Sequence, residues 1–274
     1  MDKHKICLCI SAGLDSFTAY HILLAQSIKN VCLLNIVWDG PYDAKEQKVV
    51  KELYKKAIYP MYTVSMKGYN AIASTDDHVI LGRNAVVASI AAGLAPTVLI
   101  NSTAYETNRE MFDKNPRFLA LMSFALGQAC AYKRHVEDTQ VLSLFHAPIL
   151  PLGYGWDKPQ MIQWLEDNQI YDWRKTTSCF HPTLKRCGEC AVCGKRFIYE
   201  SYVALQYSIA FDRKKILRKT YAKNPLQNIS MLQTWAKMQD AEMLRDYSRY
   251  SAERIEIYKK VLTAYGISQV KKRQ

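Results

Sequence analysis

The chain has 274 residues, 49% of them hydrophobic, and a formal net charge of +12 at pH 7. This is enough apolar material for one large folded domain or for a domain with an appendage. Its apolar runs are all shorter than the roughly 18 residues of a membrane-spanning helix, which argues against a transmembrane protein. We also find no apolar signal stretch after Met1, and we expect a cytoplasmic protein.

Apolar runs alternate with helical patterns along the first 170 residues. Strands are predicted over residues 5–10, 31–38, 59–66, 97–101 and 141–145. Helices are predicted over residues 17–29, 44–57, 84–95, 117–132 and 158–168, and from residue 195 onward. The alternation predicts an α/β fold, a Rossmann-like parallel sheet with helices on both faces.

A polar turn follows the first predicted strand and consists of Ser11, Ala12, Gly13, Leu14, Asp15 and Ser16. It precedes a helix, where unpaired backbone N–H groups and the helix dipole attract phosphate. Gly13 allows close approach of the backbone, and the two serines add hydroxyl donors. Asp15 suits a hydrated Mg²⁺ carried by a nucleotide. The turn lacks the Gly-Lys-Ser/Thr ending of a Walker loop, so it does not predict a kinase or a GTPase.

Four closely spaced cysteines follow the last of these helices, and they are Cys179, Cys187, Cys190 and Cys193. Two of their gaps are Cys-x-x-Cys, and four thiolates can close a tetrahedral zinc site with Zn–S distances of about 2.3 Å. Two disulfides are the alternative, but they need an oxidising compartment. The other four cysteines lie in apolar runs typical of buried thiols. The spacing therefore predicts a structural zinc ion.

The positive charge is concentrated at the C-terminal end. From residue 211 to 274, fifteen Lys and Arg stand against six Asp and Glu, which places +9 of the +12 in the last quarter of the chain. Such a surface suits an acidic protein or nucleic acid, and the solvated face of a basic helix explains it equally well. If the extension has a binding partner, we expect a protein rather than nucleic acid.

Several segments together resemble a known family. The turn resembles the PP-loop pattern Ser-Gly-Gly-x-Asp-Ser of the ATP pyrophosphatases, with Ala12 in place of the first glycine, a change that would strain the loop if this position needed a positive φ. About the first 200 residues are similar to 7-cyano-7-deazaguanine synthase. The matching segments are the turn, Gly82-Arg83-Asn84, residues 113–118, Pro151-Leu152, Lys158, and the cysteine run that ends at Arg196.

The resemblance implies an ATP-dependent ligase that forms carbon–nitrogen bonds. Such an enzyme adenylates the carboxylate of 7-carboxy-7-deazaguanine, releases pyrophosphate, and lets ammonia displace AMP to give an amide and then, with a second ATP, a nitrile. The resemblance assigns ATP binding to the whole turn with Arg83 and Asn84, and catalysis to Asp15, Ser16, Lys158 and Asp113. For Asn84 the alternative is a plain helix N-cap, and for Lys158 a surface lysine. The resemblance also implies ATP and magnesium as cofactors and a homodimer.

We predict three regions: a PP-loop ATP-binding domain over residues 1–175, a zinc segment over 176–200, and a basic helical extension over 201–274. The family commonly shows Tyr-Pro-Asp-Cys-Arg where this chain has Met111-Phe112-Asp113-Lys114-Asn115. Asn115 and the extension favour an alternative, an anti-phage defence paralogue that attaches the carboxylate to a protein amine and stops at the amide. A PP-loop tRNA-modifying enzyme is a further alternative. A non-enzymatic zinc module would leave the turn without a purpose.

Overall fold

A computed structural model describes residues 4–69, 71, 82–103, 113–134, 139–146, 156–179 and 181, with the single positions 192, 193, 196, 199, 200 and 203. The chain separates into two compact units. The first contains residues 1–161 and 165–177, and the second contains residues 162–164 and 178–274. The predicted regions 1–175, 176–200 and 201–274 stay a prediction.

The first unit is built on a parallel sheet of five strands in the order β3-β2-β1-β4-β5. The strands are β1 (Ile6–Ile10), β2 (Val31–Val37), β3 (Met61–Ser65), β4 (Thr97–Leu99) and β5 (Gln140–Leu142). Cys7 lies opposite Cys32 on one side of β1 and opposite Val98 on the other. The predicted α/β class with a parallel sheet is therefore confirmed.

Helices connect the strands along the chain. They are α1 (Leu14–Ala25), α2 (Asp43–Leu53), α3 (Arg83–Ala92), α4 (Pro116–Arg134) and α5 (Lys158–Asp167), followed by a 3₁₀ helix over Tyr171–Lys175. The chain moves outward from β1 to β3 and then returns to the other side of β1. Because parallel crossovers are right-handed, this reversal places α1 and α2 on one face and α3 and α4 on the other.

Both faces of the sheet are covered at its centre, whereas alternate residues of the edge strand β3 are exposed. Cys7, Val98 and Val141 form one apolar core with Ala88 of α3 and Leu119 of α4. The alternate strand residues Leu8, Leu33 and Leu99, which point to the opposite face, are equally buried. Strands that are covered on both sides read as continuous apolar runs, and this is why the sequence revealed them.

Helix α1 differs from its prediction. It was expected over 17–29 as an amphipathic helix, but it begins at Leu14, ends at Ala25, and buries eight of its twelve residues. The helix ends early because Ser27 takes a left-handed conformation with φ 52°. Because α1 begins at Leu14, residues 14–16 of the polar turn belong to the first turn of the helix.

The other predicted elements match within a few residues at each end, and the 3₁₀ helix was not predicted. Within the described ranges no helix is long and apolar enough to span a membrane. The predicted helical pattern beyond residue 203 lies outside the residues that the structure describes.

In the second unit, Cys179, Cys193 and Tyr199 are buried, and Arg196 pairs with Glu200 at 2.6 Å. Cys187 and Cys190 lie outside the described residues. Across the part of the chain that is described, no three His, Cys, Asp or Glu side chains group as a metal site would require. The zinc site thus stays a prediction.

Candidate active site

The turn between β1 and α1 is held together by its own serine hydroxyl groups. The Ser11 N–H donates to Ser16 Oγ at 3.1 Å, and the Gly13 N–H donates to Ser11 Oγ at 3.1 Å. The Ser16 hydroxyl lies 3.1 Å from the Ser11 carbonyl oxygen and donates to it. These bonds close the turn into a compact loop at the carboxyl end of β1.

The turn runs directly into the amino terminus of α1. The first intrahelical bond joins the Phe17 N–H to the Gly13 carbonyl at 3.3 Å. The N–H groups of Leu14, Asp15 and Ser16 precede that bond, and helix geometry gives them no intrahelical acceptor. With the positive end of the helix dipole, they form a group of donors suited to phosphate oxygens.

Asp15 and Lys158 come together although 143 positions separate them in the sequence. Lys158 is the first residue of α5, and its Nζ lies 2.7 Å and 3.0 Å from the two carboxylate oxygens of Asp15. The Lys158 side chain is 24% exposed and the Asp15 side chain 19%, so the pair is partly shielded from solvent and still accessible to it. An accessible carboxylate beside a helix end whose N–H groups suit phosphate oxygens fits a hydrated Mg²⁺ ion.

Glu46 of α2 is a further carboxylate at the turn. Its Oε1 accepts the Ala12 N–H at 3.3 Å. Burial raises the pKa of Glu46, while the Ala12 N–H and the charge of Arg83 lower it. Glu46 thus links the predicted residue Arg83 electrostatically to the turn.

Ala12 fits the turn without backbone strain. The described non-glycine residues with positive φ are Ser27, Asn30, Asp39 and Gln169, and Ala12 is not among them. The Ala12 carbonyl accepts the Thr177 N–H at 2.8 Å, and its side chain is buried. The departure from the glycine of the PP-loop pattern is therefore tolerated.

Asn84 and Asp113 form a second pair of predicted residues. The Asn84 Nδ2 donates to the Asp113 carbonyl at 3.1 Å and to its Oδ2 at 3.0 Å. The alternative that Asn84 caps its helix is wrong, because Gly82 occupies the N-cap position with φ 66° and Asn84 lies inside α3. Asn84 instead fixes the segment that carries Asp113.

Asn115 has a structural role of its own. Its Oδ1 accepts the Phe118 N–H at 2.8 Å at the beginning of α4, as an N-cap side chain does. Met111 and Phe112, the first two residues of the departure from the family pattern, lie outside the described residues. The substitution at 115 is thus explained by helix capping.

Two residues of this site escaped the sequence analysis. Glu46 resembles any acid in the first turn of a polar helix, and Thr177 contributes only its backbone N–H. Neither stands near the turn in sequence, and no motif spacing marks them. Only the packing of α2 and of the segment after the 3₁₀ helix brings them to Ala12.

A family model described as Queuosine biosynthesis protein QueC matches residues 5–203. The chain belongs to this family. The match covers the turn, Arg83, Asn84, Lys158 and the cysteine run. It identifies a member of the 7-cyano-7-deazaguanine synthase family within the PP-loop superfamily. Membership implies an ATP-dependent enzyme of queuosine biosynthesis. No curated protein matches the chain.

Proposed function

We propose that this family member is an ATP-dependent ligase that adenylates the carboxylate of 7-carboxy-7-deazaguanine and joins the activated carbon to nitrogen. The observation that carries the proposal is the Asp15–Lys158 pair at the helix end that follows a closed serine turn. Family membership supplies the class of substrate. With ammonia as the acceptor, the product is the amide and then the nitrile.

In the first step a carboxylate oxygen attacks the α-phosphorus of ATP, and the bond to the bridging oxygen of pyrophosphate breaks. The N–H groups of Leu14, Asp15 and Ser16 would hold the departing pyrophosphate, and Lys158 would offset its growing negative charge. Asp15 would hold Mg²⁺, which when bound screens the charge of the phosphate oxygens. The hydroxyl groups of Ser11 and Ser16 lie at the same turn and add donors.

In the second step ammonia attacks the acyl carbon and AMP leaves with the carboxyl oxygen, which gives the amide. The amide oxygen then attacks the α-phosphorus of a second ATP and releases a second pyrophosphate, and loss of two protons from nitrogen with departure of AMP gives the nitrile. The protein contributes mainly orientation, because AMP is already a good leaving group. Asn84 would serve this purpose by fixing the segment that carries Asp113.

The zinc ion is proposed as a structural component held by Cys179, Cys187, Cys190 and Cys193. The His181 N–H donates to the Cys179 sulfur at 3.4 Å, a contact that favours a thiolate at this position. The chemistry of the two buried members fits zinc. A homodimer is proposed from the family resemblance alone.

The test is to incubate the purified chain with ATP, Mg²⁺ and 7-carboxy-7-deazaguanine, with and without ammonium. We expect AMP, pyrophosphate and the nitrile by mass spectrometry. AMP without nitrile, together with a mass adduct on a co-expressed protein, would instead support the defence paralogue. Its remaining support is the basic extension over 201–274, because Asn115 is explained as a cap. Absence of turnover with tight tRNA binding would favour the tRNA-modifying enzyme.

A further inference from the structure

Polar residues at the carboxyl ends of β4 and β5 have no role in the mechanism above. The strand order reverses at β1, so the crevice between β1 and β4 is the switch point where parallel α/β sheets bind ligands. The register pairs Leu8 with Leu99. Asn101 follows Leu99, the last residue of β4, by two positions, and Ile10 ends β1 two positions after Leu8, so Asn101 lies at the same edge of the sheet as the turn that begins at Ser11.

Reciprocal hydrogen bonds fix the segment that follows Asn101. The Ser102 N–H donates to Ser143 Oγ at 3.2 Å, and the Ser143 hydroxyl donates to the Ser102 carbonyl at 2.9 Å. Ser102 Oγ lies 2.8 Å from His146 Nε2. All three side chains are buried. The ends of β4 and β5 therefore form one rigid shelf, made of Asn101, Ser102, Ser143 and His146.

Only the oxygen of the Asn101 carboxamide has a hydrogen-bond partner among the described residues. Its Oδ1 accepts the Leu144 N–H at 3.2 Å, and this bond fixes which end of the amide is which. The Nδ2 atom is buried, and no acceptor among the described residues lies within hydrogen-bond distance of it. Burying such a donor without an acceptor destabilises the folded state, and buried N–H groups are nearly always paired.

We propose that Asn101 is a ligand-binding residue whose Nδ2 donates to an anionic oxygen at the β1–β4 switch point. That oxygen belongs to the α-phosphate of ATP or to the carboxylate of the acid, and this choice of ligands rests on the proposed function. A hydrogen bond from a neutral amide to an ionised oxygen is stronger than one between neutral groups. It orients the reacting oxygen without adding another charge beside Asp15 and Lys158.

Asn101→Asp is the decisive variant. An aspartate has the same shape and keeps an oxygen to accept the Leu144 N–H, but it removes the Nδ2 donor and would repel an anion. We expect the dissociation constant of ATP or of 7-carboxy-7-deazaguanine to rise about 10- to 100-fold. Calorimetric titration of each ligand alone separates the two sources. An effect on ATP alone assigns the α-phosphate, and an effect on the acid alone assigns the carboxylate.

Ser123→Ala is the matched control, because it removes the hydroxyl that accepts the Val141 N–H of β5 at 2.8 Å and changes neither the Asn101 donor nor the shelf. We expect this control to lower the melting temperature. Each dissociation constant should change by less than about twofold, which is well below the change of at least tenfold expected for Asn101→Asp. If circular dichroism shows that Asn101→Asp does not fold, Asn101→Ala replaces it and is compared with Ser123→Ala. Unchanged affinities for both ligands in a folded Asn101 variant would overturn the inference. Wild-type protein that binds both ligands but releases no pyrophosphate would instead overturn the proposed function.

Discussion

The turn after β1 and the shelf after β4 and β5 hold their polar groups in different ways. At the turn the functional pair is charged, with Asp15 bound to Lys158, while Glu46 accepts a backbone N–H. On the shelf they are neutral amides and hydroxyl groups, and serines bond reciprocally across two strands. The first arrangement balances charge, and the second fixes position.

This difference matches the two requirements of acid activation. A triphosphate brings negative charge that must be offset, and an ion pair can exchange partners when that charge arrives. A reacting oxygen must be placed within a fraction of an ångström, and a rigid neutral network does this without electrostatic cost. The charged turn should therefore respond to changes in charge, and the shelf to changes in shape.

Asp15→Ala should show the largest effect, because it removes the carboxylate proposed to hold magnesium and breaks its ion pair with Lys158. We expect pyrophosphate release to fall by about 10²- to 10³-fold, the range for loss of one electrostatic group at a reacting centre. A coupled assay for pyrophosphate measures it. Glu52→Gln is the control, since Glu52 pairs with Lys175 at the surface and exposed pairs contribute little. Full activity of Asp15→Ala would contradict the assignment of the turn.

His21 tests whether the helix that carries the turn is sensitive to pH. Burial lowers the pKa of His21 to about 4, opposed by the charge of Asp172. The unfolded chain therefore binds the proton first, and stability falls as the pH drops from about 6.5 toward 4. We expect a loss of about 3 kcal/mol over this window, and we expect His21→Gln to lack it. Urea unfolding at pH 7.5 and pH 4.5 measures the difference, and equal losses in both proteins would show that His21 is not responsible.

Glu46 distinguishes a hydrogen-bond role from a charge role at the turn. Glutamine keeps an oxygen to accept the Ala12 N–H, so we expect Glu46→Gln to retain the KM for ATP within about twofold, and Glu46→Ala to raise it about 3- to 10-fold. Steady-state kinetics at varied ATP checks both variants. If Gln and Ala are equally impaired, the negative charge of Glu46 is what the turn requires.

The raised pKa of Glu46 gives a second measurement on the same variants. The folded state holds the proton more tightly than the unfolded chain, so this group lowers stability as the pH rises above the ordinary value of 4.5. Glu46→Gln should lack that component of the pH dependence. Identical profiles of unfolding free energy against pH for wild type and Glu46→Gln would show that burial does not perturb this carboxyl.

Substitution of Asn115 should give the smallest effect of these variants. Like the shelf residues, Asn115 acts through a neutral hydrogen bond that fixes a position. Loss of its N-cap bond in Asn115→Ala should cost about 1 kcal/mol, measured by urea unfolding, and Asn115→Asp should restore it. The ratio of amide to nitrile should stay unchanged in both variants. A shift of that ratio toward the amide would return Asn115 to the choice of product and would favour the conjugating alternative.

The sequence predicted the sheet well because β1 and β2 are buried on both faces and read as unbroken apolar runs. It predicted Ser11 to Ser16 and Lys158 as site residues from motif resemblance, without placing them relative to one another. It missed the start of α1, since Leu14 looks like part of a loop until Gly13 is seen at the N-cap. It did not reveal that Asn84 bonds to Asp113, which lies 29 positions away.

The sequence by itself determined the succession of strands and helices along the chain, the residue types of the turn, and membership of the family. These features depend on local pattern and on motif. Only the tertiary structure decided which distant side chains meet. Helix packing brings Lys158 to Asp15 and Glu46 to Ala12, and the parallel pairing of β4 with β1 brings Asn101 to the same edge of the sheet as the turn. Such meetings depend on contacts between residues far apart in the chain, and no local spacing encodes them.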